Sequence, residues 1–547
     1  MKTQISLIFL FFSLILLASP VRAGDAVVGD GTPASCTETA FDDALATANS
    51  GGGTITFNCG PGETTIPLSI TKIVNLANVT INGGNQVILQ AAPLERHFFA
   101  GAVTFRLQNI TLTGGDSLVN GGAVEASGAE VFLENVKLLN NQSDASGGAV
   151  YCYDGTLTIT DSVFDGNQAE TGGAIFNDGC TVNITNTIFH NNQANLSTGR
   201  GGAVENSVTG NLTVQNSLFQ TNAALDGGGL YNAIGANATL NAVTFDANSA
   251  GYGGGIENSG ALTITHSLLD NNVVTGSGGG LWNIGGNALL TQTTISNNFA
   301  YEGGGISTYG ISLEMRDVNI ISNYANSASP GAVNGGGLHH IAGTVFITNA
   351  TISGNFAQDN GGGIYQASDD NLTLTNVTVA NNVVTGLGGG FYHYGRYAIL
   401  TNVTLANNLA GIAGHAIYED SPQTPSEPGV VQLVNNLIFG EANNCDGGLF
   451  QSLGHNLSQG TCASLTDPTD QDNYPGDLLV GTLTFNGGTF PMNTIMPQAG
   501  SPLIDAGDPA ACIATDQRGA SRVGTCDLGA VEYGAMVPRV YLPLVQK

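Results

Sequence analysis

The phrase Gly227-Gly228-Gly229-Leu230-Tyr231-Asn232 returns along most of this chain, and its spacing constrains the fold more than any other feature. Copies start at Gly121, Gly147, Gly172, Gly201, Gly253, Gly278, Gly303, Gly335, Gly361, Gly388 and Gly414. The third residue of each falls at 123, 149, 174, 203, 229, 255, 280, 305, 337, 363, 390 and 416, so successive differences lie between 25 and 32. A period of this size means a supersecondary unit that cannot bury its apolar face alone and stacks on copies of itself.

Between the glycine signals each repeat carries two more short apolar phrases, such as Thr156-Leu157-Thr158-Ile159-Thr160 and Val163-Phe164-Asp165-Gly166-Asn167. They are rich in Thr and β-branched residues, alternate apolar with polar, and are bounded by Gly, Asn or Asp, which reads as strands with one buried face. Three strands in about 25 residues leave no room for crossover helices. The economical solution is a coil whose strands stack as parallel sheets, advancing roughly 4.8 Å per coil. The last phrase ends in Asn in nearly every copy (Asn167, Asn192, Asn222, Asn248, Asn272, Asn298, Asn355, Asn382, Asn408), where stacked amides can donate to one another as a ladder.

These phrases resemble the repeats of chlamydial polymorphic outer-membrane proteins, and the rod resembles the right-handed β-helix of the pectate lyase superfamily. The resemblance spans roughly 113–420. It implies an all-β fold, a right-handed parallel β-helix with three short strands per coil, on a secreted or surface-exposed protein that is often an adhesin.

Met1 to Ala23 reads as a secretory signal: an early Lys2, an apolar run from Ile5 to Ala18 too short to span a membrane, and small residues before a cleavage point near Gly24. Residues 24–53 hold the one convincing helix, from Cys36 to Asn49, with Phe41, Ala44, Leu45 and Ala48 on one face and Gly51-Gly52-Gly53 ending it. Such a helix plugs the open end of a rod, and it resembles the Cys-Ser-Leu-Arg-Glu-Ala cap of secreted bacterial β-helices, though Thr37 to Ala40 depart from that pattern. Repeats occupy 54–434. The motifs of 435–533, including Gly500-Ser501-Pro502-Leu503-Ile504-Asp505-Ala506-Gly507 and Asp516-Gln517-Arg518-Gly519, are similar to the choice-of-anchor domain, type Q. That resemblance implies closure of the rod and surface display, ahead of a short tail, 534–547. Asp516 and Arg518 are read as a buried pair bracing this cap.

Eight cysteines fall in sequence-local pairs: Cys36 with Cys59, Cys152 with Cys180, Cys445 with Cys462, and Cys512 with Cys526, one choice among the 105 connectivities. None has zinc-site spacing. The net charge is −29 with only 13 Lys plus Arg, which disfavours nucleic acid and anionic membranes and makes neutral glycans better partners than polyuronates. The repeated glycines are turn residues and not nucleotide loops, which need a single glycine loop between a strand and a helix.

The residue after each inward aliphatic must point outward. That column reads Glu125, Tyr151, Phe176, Glu205, Tyr231, Glu257, Trp282, Ser307, His339, Tyr365, Tyr392 and Tyr418, beside positions that are only Ala or Gly. Rings for sugar faces and carboxylates for hydroxyls over a flat Ala/Gly floor suit a glycan-binding surface, with Tyr231, Trp282, His339, His340, Tyr365, Tyr392, His393 and Glu419 as ligand candidates. The preferred reading is extracellular binding to glycans or cell-surface components without a cofactor. The alternative is a polysaccharide lyase or hydrolase. Aligned copies put His340, Gln366, His393 and Glu419 in one column and Arg396 beside Asp369, so His393 would serve as base, Tyr392 or Tyr365 as proton donor and Arg396 as charge neutraliser. Asp467, Asp470, Asp472, Asn473 and Asp477 are candidate calcium oxygens without the order of an EF-hand loop.

Overall fold

A computed structural model describes residues 24–327, 332–420, 423–424 and 427–537. The expected signal segment, 1–23, and tail residues 538–547 lie outside the described residues. The chain forms a parallel β-solenoid of about 16 turns. A typical coil runs through strands Val150–Tyr153, Thr156–Thr160 and Val163–Asp165. Each pairs in parallel with the same position one coil on, Val150 with Ile175, Thr156 with Thr181 and Val163 with Ile188. A fourth strand of two residues, not expected from the sequence, adds a further ladder in which Gln168–Ala169 pairs with Gln193–Ala194.

The interior is layered coil by coil. Phe164, Phe189, Phe219 and Phe245 are fully buried and stack with ring centroids 4.9, 4.7 and 4.6 Å apart. Each such ring contributes roughly 1.5–3 kcal/mol of burial. Ladders at the turns satisfy the polar groups trapped inside. Asn167, Asn192, Asn222, Asn248, Asn272 and Asn298 are inaccessible to solvent, and each side-chain amide donates to the Oδ1 of the next at 2.8–3.0 Å. The left-handed backbone sits one residue before the ladder asparagine, as at Gly166 and Asn191. A second buried ladder, Asn177, Asn206, Asn232, Asn258 and Asn283, lines the end of the first strand.

The glycine turn has a steric cause. Gly227 has φ +65°, and a Cβ there would lie 2.4 Å from the Leu230 carbonyl oxygen. At Gly229 a Cβ would lie 2.6 Å from Cδ1 of Phe245. The Ala or Gly before each inward aliphatic therefore faces the core, and the flat exposed floor expected from the sequence does not exist. At this corner two consecutive residues point inward: the amides of Ala123 and Val124 both donate to the Ala149 carbonyl. Strict alternation begins only after the aliphatic.

The helix spans Glu38–Gly51, capped by Thr37, whose hydroxyl accepts from the Ala40 amide. Its buried face is Phe41, Ala44, Leu45 and Ala48, as expected. Buried Lys72 ties it to the rod through Glu38 and Asp42 at 2.6 and 2.7 Å. All four cysteine pairs form as paired from the sequence: Cys36–Cys59, Cys152–Cys180, Cys445–Cys462 and Cys512–Cys526.

The solenoid does not stop at 434. Leu437–Asn443, Cys445–Gly447, Phe450–Ser452 and Leu457–Thr461 continue it in register, Thr404 against Leu437 and Leu437 against Leu457. The chain beyond then folds back along the flank of the rod, over its third strands. Asn319 donates to the Pro491 carbonyl, Thr351 to that of Asn493 and Asn376 to that of Thr515. Ile495 packs on Ala380 and Ala406. Arg518 is buried and holds Asp516 at 2.7 Å, the expected brace.

Candidate functional site

The outward column of the first strands is present in register, Glu205 beside Tyr231, Tyr231 beside Glu257 and Glu257 beside Trp282. It is not a row of freely exposed side chains. A second column runs alongside, made of the residue before each glycine pair: Thr171, Arg200, Asp226, Tyr252, Ser277 and Glu302. Arg200, Asp226 and Tyr252 are bridged in parallel. Four of these lean on the outward residue of the next coil. Thr171 donates to Glu205, Arg200 lies 5.0 Å over the Tyr231 ring, Tyr252 stacks on Trp282 at 4.5 Å, and Glu302 approaches His339 at 3.9 Å. The same diagonal step brings the Asp226 charge to bear on Glu257. This second column was missed in the sequence, where the residue preceding each Gly-Gly pair marks it.

The electrostatics follow from that packing. Burial pushes Glu205 up to about 7, against the Thr171 hydrogen bond and the Arg200 charge. Burial, then the Asp226 charge, pushes Glu257 up to about 9. Glu257 is 4% exposed, and its Oε2 has no hydrogen-bond partner among the described residues. Burial also raises Asp226, opposed by Arg200, whose Nε lies 3.8 Å away.

Further along, His339, Tyr365, Tyr392 and Tyr418 form an aromatic ladder with centroids 5.1, 5.1 and 5.8 Å apart. The Tyr392 hydroxyl donates to Asp420 at 2.6 Å, and burial followed by that carboxylate raises its pKa. Burial lowers His339 to about 3 and His340 to about 4.

The column of His340, Gln366, His393 and Glu419 is in register as aligned, but it faces the interior. All four are 0–1% exposed. They lie two residues after the inward aliphatic, so period-two alternation returns them to the inner face, where they continue the second ladder. Gln366 donates to the carbonyls of Asp370 and Tyr397, His340 bonds the Gly343 carbonyl at 2.5 Å, and His393 lies 3.4 Å from Glu419. His340, His393 and Glu419 are thus no part of an outward binding surface. The trio of His393, Tyr392 and Arg396 is not assembled, since Tyr392 points out while His393 points in. Arg396 lies 5.3 Å over the Tyr397 ring and donates its backbone N–H to Ser368, next to Asp369.

The acidic run is likewise dispersed. Asp467 accepts from Thr469, Asp470 from Asn456 and the Asp467 amide, Asp472 from the Cys462 amide and Asp477 from the Leu479 amide. Their oxygens hold their own loops, and among the described residues no three His, Cys, Asp or Glu side chains converge on a metal-sized site.

A third surface was also missed. The short fourth strands present Val273, Phe299, Tyr324, Val383 and Leu409 outward, each 37–47% exposed, with Phe356 between them. Each directly follows a ladder asparagine, which is the signal that would have found it.

Residues 161–178 match the Chlamydia polymorphic membrane protein repeat. No curated protein matches the chain. Among solved structures, the A-module of the mannuronan C-5 epimerase AlgE4 from Azotobacter vinelandii is 13% identical over 82% of this chain and 100% of its own, with a TM-score of 0.29. PfbA, a surface adhesin of Streptococcus pneumoniae, is 14% identical over 70% of this chain and 86% of its own, at 0.25. The pectate lyase Pel9A is 14% identical over 94% of this chain and 97% of its own, at 0.21. No activity is transferred from these likenesses. Among the described residues no helix is long and apolar enough to cross a membrane.

Proposed function

We propose that this protein is an extracellular binding rod that holds glycans along its two outward columns. The observation that carries the reading is the Tyr252–Trp282 stack at 4.5 Å, with Glu257 beside it in the column: a flat aromatic platform next to a carboxyl group suits a sugar ring and its hydroxyls. Four disulfides favour an oxidising, extracellular compartment, and the matched repeat is consistent with a cell-surface protein. The lyase built on His393 is set aside because its base is enclosed.

A panel of neutral and charged polysaccharides tests the reading by affinity electrophoresis. Neutral polymers should be retained, and Trp282→Ala with Tyr252→Ala should weaken retention by about tenfold or more, the value of one or two ring contacts. Equal retention of parent and double variant would show the rings to be packing alone.

A further inference from the structure

The two outward columns contain one juxtaposition that packing leaves unbalanced. In the diagonal pairing of the two columns, Thr171 meets Glu205, Arg200 meets Tyr231 and Tyr252 meets Trp282, each a satisfied contact. Between the last two, the same diagonal brings the Asp226 charge to bear on Glu257, acid against acid. Arg200 approaches Asp226 from one side, but Glu257 keeps an enclosed Oε2 with no donor. A buried carboxyl oxygen without a donor is costly, and a rod with net charge −29 and 13 basic residues has few cations to offer.

We infer that the Asp226–Glu257 pair, walled by Tyr231 and the Tyr252–Trp282 stack, is a subsite for the protonated amino group of an amino-sugar unit in a glycan. This rests on the glycan-binding reading and narrows it. An ammonium brings a positive charge to the Asp226 carboxylate and donors to the enclosed oxygen of Glu257, which burial and the Asp226 charge keep protonated in the free protein, and aromatic faces add cation–π attraction. Trp282 is half-buried and Tyr252 is exposed, so the sugar ring lies over the stack while its amine enters between Asp226, which is partly open, and Glu257 behind it. An acetylated nitrogen offers one donor, no charge and a bulky methyl group.

The test uses the full mature protein with two probes, a hexamer of β-1,4-linked glucosamine and the same hexamer fully N-acetylated, by calorimetry at pH 6. The free-amine hexamer should bind about tenfold or more tightly, the size of one charge-assisted hydrogen bond. Glu257→Gln and Asp226→Asn should each abolish that preference, and Asp226→Asn should leave the acetylated hexamer unchanged. Trp282→Ala should weaken both probes alike. Equal affinity for the two hexamers, or a preference that survives both acid variants, would overturn the subsite while leaving glycan binding intact. Failure of both hexamers and of every neutral polymer would remove the underlying reading as well.

Discussion

The Asn222 side chain accepts from both the backbone N–H and the side-chain amide of Asn192, each at 3.0 Å, so one residue satisfies two buried donors of the coil before it. It also donates to the Phe189 carbonyl and to Asn248, which makes four bonds with no solvent to replace them. Asn222→Ala leaves the Asn192 donors unpaired at about 1–3 kcal/mol each, so a loss of roughly 3 kcal/mol is expected in urea unfolding. The exposed Asn237→Ala, whose bond to Asn211 water can replace, should stay within about 0.5 kcal/mol. Similar losses at both sites would contradict the ladder as a stabilising element.

Burial of titratable groups gives stability a dome-shaped pH dependence. Glu257 moves from 4.5 in the unfolded chain to about 9, and Glu205 to about 7. Carboxyls raised in this way bind protons in the native state that the unfolded chain releases, so their contribution is complete below 4.5 and is lost as pH rises toward 9. His97, His339 and His340 are lowered to about 4, 3 and 4, and their contribution is lost as pH falls below 6.5. The thermal midpoint should therefore peak near pH 6.5 and decline toward 9. Glu257→Gln should flatten the alkaline decline, and an unchanged slope would show Glu257 to be ionised in the native state.

How far this was legible in the sequence depended on whether the repeat itself carried the information. Asn192 and Asn222 recur at a fixed offset, so both the ladder and the coil around it could be read. The inward turn of His393 followed from the alternation already applied to Tyr392, carried one residue further. Gly229 and its equivalents were misread as a floor because the corner places two neighbours inside, a backbone fact with no sequence period. Asp226 and Tyr252 stand at a fixed place, just before a glycine pair, but the residue type there changes from copy to copy, so the column can be located while its lean on the next coil cannot be read. The fold-back of 478–537 joins Gln517 to Thr378 across 139 residues, beyond any local signal.

The Cys152–Cys180 bridge joins neighbouring coils across a separation of 28 residues. Loop closure of that size corresponds to about 3.5 kcal/mol at the chain-entropy limit. The paired substitution Cys152→Ser with Cys180→Ser should lower the thermal midpoint and open coils 150–180 to proteolysis before the rest of the rod. Uniform cleavage along the chain would show that these coils do not depend on the bridge.

Gln517 ties the returning segment to the rod more firmly than its place in a loop suggests. It is fully buried, donates to the Ala350 carbonyl and to the Thr351 hydroxyl at 2.8 Å each, and accepts from the Thr378 hydroxyl at 2.5 Å. These bonds reach two successive coils, so the segment acts as a clamp across them. Gln517→Ala leaves the Thr378 hydroxyl and the Ala350 carbonyl without partners in a closed interface, a cost of about 2–4 kcal/mol. Because coils contact mainly their neighbours, that cost should loosen the flank without melting the rod. Hydrogen exchange should speed up at residues 490–532 and at Thr351 and Thr378, with the ladder amides of Asn192 and Asn222 unchanged. If exchange rises evenly over all coils, the segment is a structural part of every turn and not a clamp on a rod that stands without it.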